Sequence, residues 1–127
     1  MKNKKRSASE IGRASRSKGK VGEREAAREL MKRISGSRIE RSVQYAGRDA
    51  SHGEGGMPDL IGMQGYHFEV KRTEKSQPYR WIEQVLKDKK TEEIGVILHR
   101  QNRKEWIVIM SIDDFCRLVN KAERSDK

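Results

Sequence analysis

The chain is 127 residues long, 33% hydrophobic and 38% charged, with a net charge of +10. That length fits one small domain, with a core so limited that burial in a homo-oligomer would support it. The charge favours a polyanionic partner, nucleic acid or an anionic membrane surface; no apolar run approaches the roughly 20 residues of a spanning helix, and the single Cys116 excludes an internal disulfide and a cysteine zinc cluster.

Residues 1–22 carry eight Lys or Arg against one acid, Glu10, so seven of the ten net charges sit there. The stretch is rich in Ser and Gly and lacks apolar periodicity, which predicts a flexible basic arm over 1–17. Its Lys4, Lys5, Arg6, Arg13, Arg16, Lys18 and Lys20 are candidate phosphate contacts; a solubilising tail is the bland alternative. No apolar segment follows this basic start, so no signal peptide is expected and the protein reads as soluble and cytoplasmic. With no apolar face in residues 1–20, membrane docking is disfavoured.

Residues 22–35 predict a helix, with Ala26, Ala27, Leu30, Met31 and Ile34 on one face and Gly36 as the stop. At about 100° per residue, Glu23 projects into that apolar stripe. Glu25 projects to the opposite side, where Arg28, Lys32 and Arg33 are available in solvent. Glu23 is thus the acid directed at the interior: either a functional carboxylate or a first-turn residue satisfying helix amides.

Residues 38–45 alternate and suit a strand; 46–57, with four Gly, form a loop. In that loop His52 is a weak candidate for metal or phosphate, and Arg48 a stronger phosphate contact. Residues 59–63 and 66–71 predict a hairpin whose loop Met63-Gln64-Gly65 places Gly65 in the left-handed region. A turn centred on Gln64 sets position 59 against position 69, so Asp59 and Glu69 share a face, with side chains about 4.5–5.5 Å apart at Cβ. Alternation adds Lys71 to that face and puts Phe68 and Val70 on the other. Two carboxylates this close repel unless a cation lies between them. Their hard oxygens suit Mg²⁺ or Mn²⁺ rather than zinc.

Ser76 and Pro78 open a second helix with Trp81, Ile82, Val85 and Leu86 as its apolar stripe; Tyr79 and Gln84 are weaker candidates to reach the site. Residues 93–99 and 105–110 read as two strands joined by the polar hairpin 100–104. Ser111 and Asp114 mark the start of a last helix, whose Ile112, Phe115, Cys116 and Val119 form its expected inner face. A polar tail follows from residue 121.

The order α-β-β-β-α-β-β-α describes an α/β fold with a mixed sheet. With Glu23 on the first helix, Asp59 after Pro58 on the second strand and Glu69-Val70-Lys71 on the third, it resembles the PD-(D/E)XK nuclease superfamily. Lys18-Gly19-x-x-x-Glu23-Arg24-Glu25 is similar to the start of archaeal-type and phage-encoded Holliday junction resolvases. The resemblance covers about residues 18–110, inside a domain read as 18–120. It implies a restriction-endonuclease-like core, a homodimer, and Mg²⁺-dependent (Mn²⁺ substituting) nicking of branched DNA in a prokaryotic or phage-infected cell. It makes Asp59, Glu69 and the Val70 carbonyl metal ligands. Lys71 becomes the residue that orients the attacking water, Glu23 a further ligand acting through water or a second ion, and Arg72 an added DNA contact. The archaeal enzymes carry a Ser-Ala-Gly-Ser-like segment before the aspartate. Here the comparable stretch is Ser42-Val43-Gln44-Tyr45-Ala46-Gly47-Arg48, and Ser42 or Ser51 could take the serine's part. A different structure-specific or site-specific endonuclease, and a non-catalytic branched-DNA-binding protein, are the competing readings.

Overall fold

The computed structural model describes residues 8–42 and 56–125, with residues 8–18 described as backbone alone. The expected contacts Lys4, Lys5, Arg6, Arg48, Ser51 and His52 lie outside the described residues, as do the side chains of Arg13, Arg16 and Lys18.

The elements follow the expected order: α1 (Ala8–Arg33), β1 (Glu40–Arg41), β2 (Leu60–Ile61), β3 (Tyr66–Arg72), α2 (Pro78–Asp88), β4 (Ile94–Arg100), β5 (Ile107–Ile109) and α3 (Ile112–Ser125). The strands form one five-stranded sheet in the order β1-β2-β3-β4-β5. β1, β2 and β3 run antiparallel in turn, β4 lies parallel to β3 after the α2 crossover, and β5 returns antiparallel. A parallel pair needs such a crossover, and its helix covers one sheet face.

Strand alternation sorts the core into two layers. Leu60, Phe68, Val96 and Leu98 face α1, meeting Ala26, Ala27, Leu30 and Ile34. Ile97 faces the other way, against Trp81 and Val85 of α2. Each fully buried large apolar side chain, such as Leu60, Ile94 or Ile97, contributes about 1.5–3 kcal/mol. β4 is buried at every position but its last, as expected for the strand held between both layers.

Two close approaches set the site's frame. Gly22 brings α1 down onto β3, where a Cβ would meet that of Arg72 at 2.6 Å. Gly62 leaves β2 with φ +121°, and a Cβ there would lie 2.0 Å from the Arg38 carbonyl oxygen. Gly65 has φ +90° and Gly36 φ +74°, the left-handed turn and the helix stop that the sequence implies.

Several local expectations are corrected. Helix α1 begins at Ala8, so residues 8–21, read as part of an unstructured segment, are helical. Met31 lies exposed rather than in the core. Ser111 Oγ accepts from the Asp114 amide at 3.2 Å, as a cap should, but the Asp114 carboxylate accepts from the Gly95 amide at 3.1 Å. That anchor turns α3 so that Ile112, Phe115, Cys116 and Val119, the expected inner face, lie exposed. Among the described residues no helix is long and apolar enough to cross a membrane.

Candidate functional site

Asp59 follows buried Pro58 and is pinned on both sides by backbone. Its amide donates to the Phe68 carbonyl at 2.8 Å, and its carbonyl accepts from the Ser42 amide at 2.9 Å. Leu60 pairs with Phe68, and one step further the same register sets Asp59 beside Glu69, the pairing expected from the hairpin. Asp59 Oδ2 also accepts the Val70 amide at 2.8 Å, which fixes the carboxylate's orientation.

The electrostatics of this pair are unfavourable. Burial, and then the neighbouring Glu69 carboxylate, push the Asp59 carboxyl up to about 8, against the bond from the Val70 amide. A carboxyl in this state ionises near neutrality only when positive charge arrives. The resident cation on this face is Lys71, placed there by alternation along β3. It is half-buried and makes no hydrogen bond or ion pair among the described residues.

Glu23 sits at the margin. Arg41 Nε donates to its Oε2 at 2.6 Å. Burial raises its carboxyl above the usual range, with Arg41 opposing and Glu69 adding to the rise. Asp59, Glu69 and Glu23 thus share one field, although Glu23 is tied to Arg41 in this arrangement.

The helix-face argument that separated Glu23 from Glu25 does not hold. Their side chains are 20% and 23% exposed, so both lie inside. Glu25 accepts from the Arg100 guanidinium and from Trp106 Nε1 at 3.2 Å. The α1 flank expected to face solvent is covered by the β4 end and Trp106. Glu29 is the acid that pairs locally, with Arg33 and Lys32.

Sequence reasoning missed His67. It is fully buried, and its Nε2 lies 3.0 Å from Glu69 Oε1. The signal was present, because His67, Glu69 and Lys71 alternate onto one face. Ser42 is buried against Asp59 through its backbone, and its hydroxyl has no partner among the described residues. Arg72 is drawn to the strand end, donating to the Arg100 carbonyl at 3.3 Å and Asn102 Oδ1 at 2.9 Å. Lys20 is exposed on α1. Gln84 donates to Asp88, and Tyr79 points into solvent.

The donor chemistry of Asp59 and Glu69, two crowded hard oxygens, fits a divalent cation. Among the described residues no group of three or more Asp, Glu, His or Cys side chains gathers around one point. Further ligands to such a cation would therefore come from backbone and solvent.

A mixed sheet whose antiparallel hairpin carries an aspartate opposite Glu-x-Lys, flanked by helices, defines a restriction-endonuclease-like core. The sequence model of one family, described as phage putative PDDEXK endonuclease, matches residues 14–127, and the chain belongs to that family. No curated protein and no solved structure matches it.

Proposed function

We propose that the protein is a Mg²⁺-dependent, structure-specific DNA endonuclease that resolves four-way junctions by paired nicks as a homodimer. The observation that carries the hydrolytic reading is the Asp59–Glu69 pair, two carboxylates buried against their own repulsion with Lys71 beside them and uncommitted. The junction reading rests on the likeness of residues 18–25 to the start of the resolvases, and on symmetry: a four-way junction has two-fold symmetry, and two copies of a one-site domain can cut opposed strands.

Asp59, Glu69 and the Val70 carbonyl would hold the cation, and Mn²⁺ would substitute for Mg²⁺. Bound there, it lowers the pKa of water and stabilises charge on the phosphorane. The Val70 amide holds Asp59 in the orientation this requires, and His67 holds Glu69. Lys71 orients the attacking water and offsets developing negative charge at the scissile phosphate. Glu23, released from Arg41, accepts a hydrogen bond from water at the margin of the site. Lys4, Lys5, Arg6, Arg13, Arg16, Lys18, Lys20, Arg48 and Arg72 supply phosphate contacts that position the duplex arms. The reaction belongs in the cytoplasm of a prokaryotic or phage-infected cell.

The test is a strand-labelled cleavage assay. Wild type, Asp59→Ala and Lys71→Ala are given a four-way junction, a linear duplex and a single strand, each with Mg²⁺, Mn²⁺ or EDTA. Symmetric metal-dependent junction nicks, absent in both variants, are expected. Equal cutting of linear duplex would keep the hydrolytic site and replace junction resolution with a more general endonuclease or nickase. Tight junction binding without cutting would leave a non-catalytic binding protein.

A further inference from the structure

Helix α3 repeats Ile112, Phe115, Cys116 and Val119 at the spacing of a helix that buries one face. The fold buries the other face, through Asp114 and Leu118. Ile112 is left 77%, Phe115 53% and Val119 41% exposed, with Cys116 exposed among them. A stripe of this kind on an isolated domain marks an interaction surface.

We infer that this stripe is the surface on which a second copy of the chain docks, α3 packing antiparallel against its symmetry mate. The inference rests on the homodimer reading above and identifies the surface that reading lacks. Three observations select a second copy as the occupant. The helix carries Asp113, Asp114 and Glu123 against Arg117, Lys121 and Arg124, so it is electroneutral in a chain of net charge +10. It is therefore ill suited to a polyanion and free of the repulsion that two basic surfaces would suffer. Its acids lead in the first turn, and its bases lie further along. Antiparallel apposition sets the acidic end of each copy against the basic end of the other, and opposes the helix dipoles favourably.

The third observation is position. Asp114 holds the amide of Gly95 near the start of β4, and Lys121 lies 5.0 Å over the ring of Tyr66, the first residue of β3. The stripe thus lies at the end of the sheet where the parallel strands begin, while Lys71 lies near the other end of β3. Pairing there leaves both candidate sites open to DNA. The centre of the stripe falls between Phe115 and Cys116. Across a two-fold axis at that point, helices at the usual 8–10 Å separation bring the two Cys116 thiols close together.

Three measurements on the full chain test this. Sedimentation equilibrium is expected to give wild type twice the mass of the 14.7 kDa chain. A short bis-maleimide is expected to join two chains through Cys116, with no covalent dimer from Cys116→Ser. Phe115→Glu, with circular dichroism unchanged, is expected to raise the dimer dissociation constant about thirtyfold or more, as removal of a central aromatic anchor does. Ile112→Lys, at the most exposed position, repeats the test if Phe115→Glu fails to fold. A monomeric wild type would overturn the homodimer reading and this surface together. A wild-type dimer that neither cross-links at Cys116 nor weakens in Phe115→Glu and Ile112→Lys would keep the homodimer and overturn the surface.

Discussion

Replacing Asp59 with Asn separates the cost of this site to the fold from its use in chemistry. Asp59 is pushed up to about 8 from an ordinary value of 3.8, first by burial and then by Glu69. A carboxyl whose folded pKa lies above its unfolded one is held neutral by the fold. The metal-free protein therefore loses stability as pH rises from about 4 to about 8, and has lost none of it below about 4. At 1.36 kcal/mol per unit, the ceiling at pH 7 is about 4 kcal/mol. Relaxation and water entry around a coupled pair should leave about 1–2 kcal/mol of it. An Asn at 59 keeps an acceptor for the Val70 amide and gains an N–H to donate to Glu69. Asp59→Asn is accordingly expected to raise the Tm of the metal-free protein at pH 7 by about 5 °C and to flatten its stability between pH 4 and 8. Addition of Mn²⁺ or Mg²⁺ should stabilise wild type, because a cation favours the ionised pair, and should leave the variant where it was. The assay is thermal unfolding across pH with EDTA or metal, beside the cleavage assay. A variant less stable than wild type at pH 7 in EDTA would refute the claim that Asp59 and Glu69 repel across a dehydrated gap.

Glu25→Gln is expected to lower stability by about 1–3 kcal/mol, by weakening charge-assisted bonds from Arg100 and Trp106, with cleavage per folded molecule retained. Glu23→Gln is expected to do the reverse, and equal effects in unfolding and cleavage would sink the distinction. Gly62→Ala forces a Cβ against the Arg38 carbonyl at a φ that disfavours side chains, and should cost about 3 kcal/mol or more in urea unfolding; an unchanged midpoint would contradict the turn geometry. Neutralising Lys4, Lys5, Arg6, Arg13, Arg16 and Lys18 to Gln should flatten the salt dependence of DNA binding, by about 0.9 in log–log slope for each phosphate no longer neutralised. An unchanged slope would show that these residues bind no DNA.

The sequence by itself determined what depends on short-range periodicity and turn chemistry. The order of elements follows from apolar spacing and from Gly36, Pro78 and Ser111. The register that sets Asp59 against Glu69 follows from a turn at Gln64 with Gly65 beyond it, because strand period and loop length leave little freedom. Tertiary structure decided which faces meet which neighbours. The period of α1 groups Ala26, Ala27 and Leu30, but it does not say that Arg100 and Trp106 cover a second flank, and so it could not draw Glu25 inside. The pattern of α3 marks an apolar stripe, yet the buried bond of Asp114 with the Gly95 amide turned that stripe outward. His67 reached Glu69 by an alternation legible in Tyr66–Arg72, but its complete burial depends on the helices laid over the sheet. A periodic pattern specifies which side chains stand together. Which of several such faces is buried within one chain is a competition among long-range interactions, and only the assembled sheet resolves it.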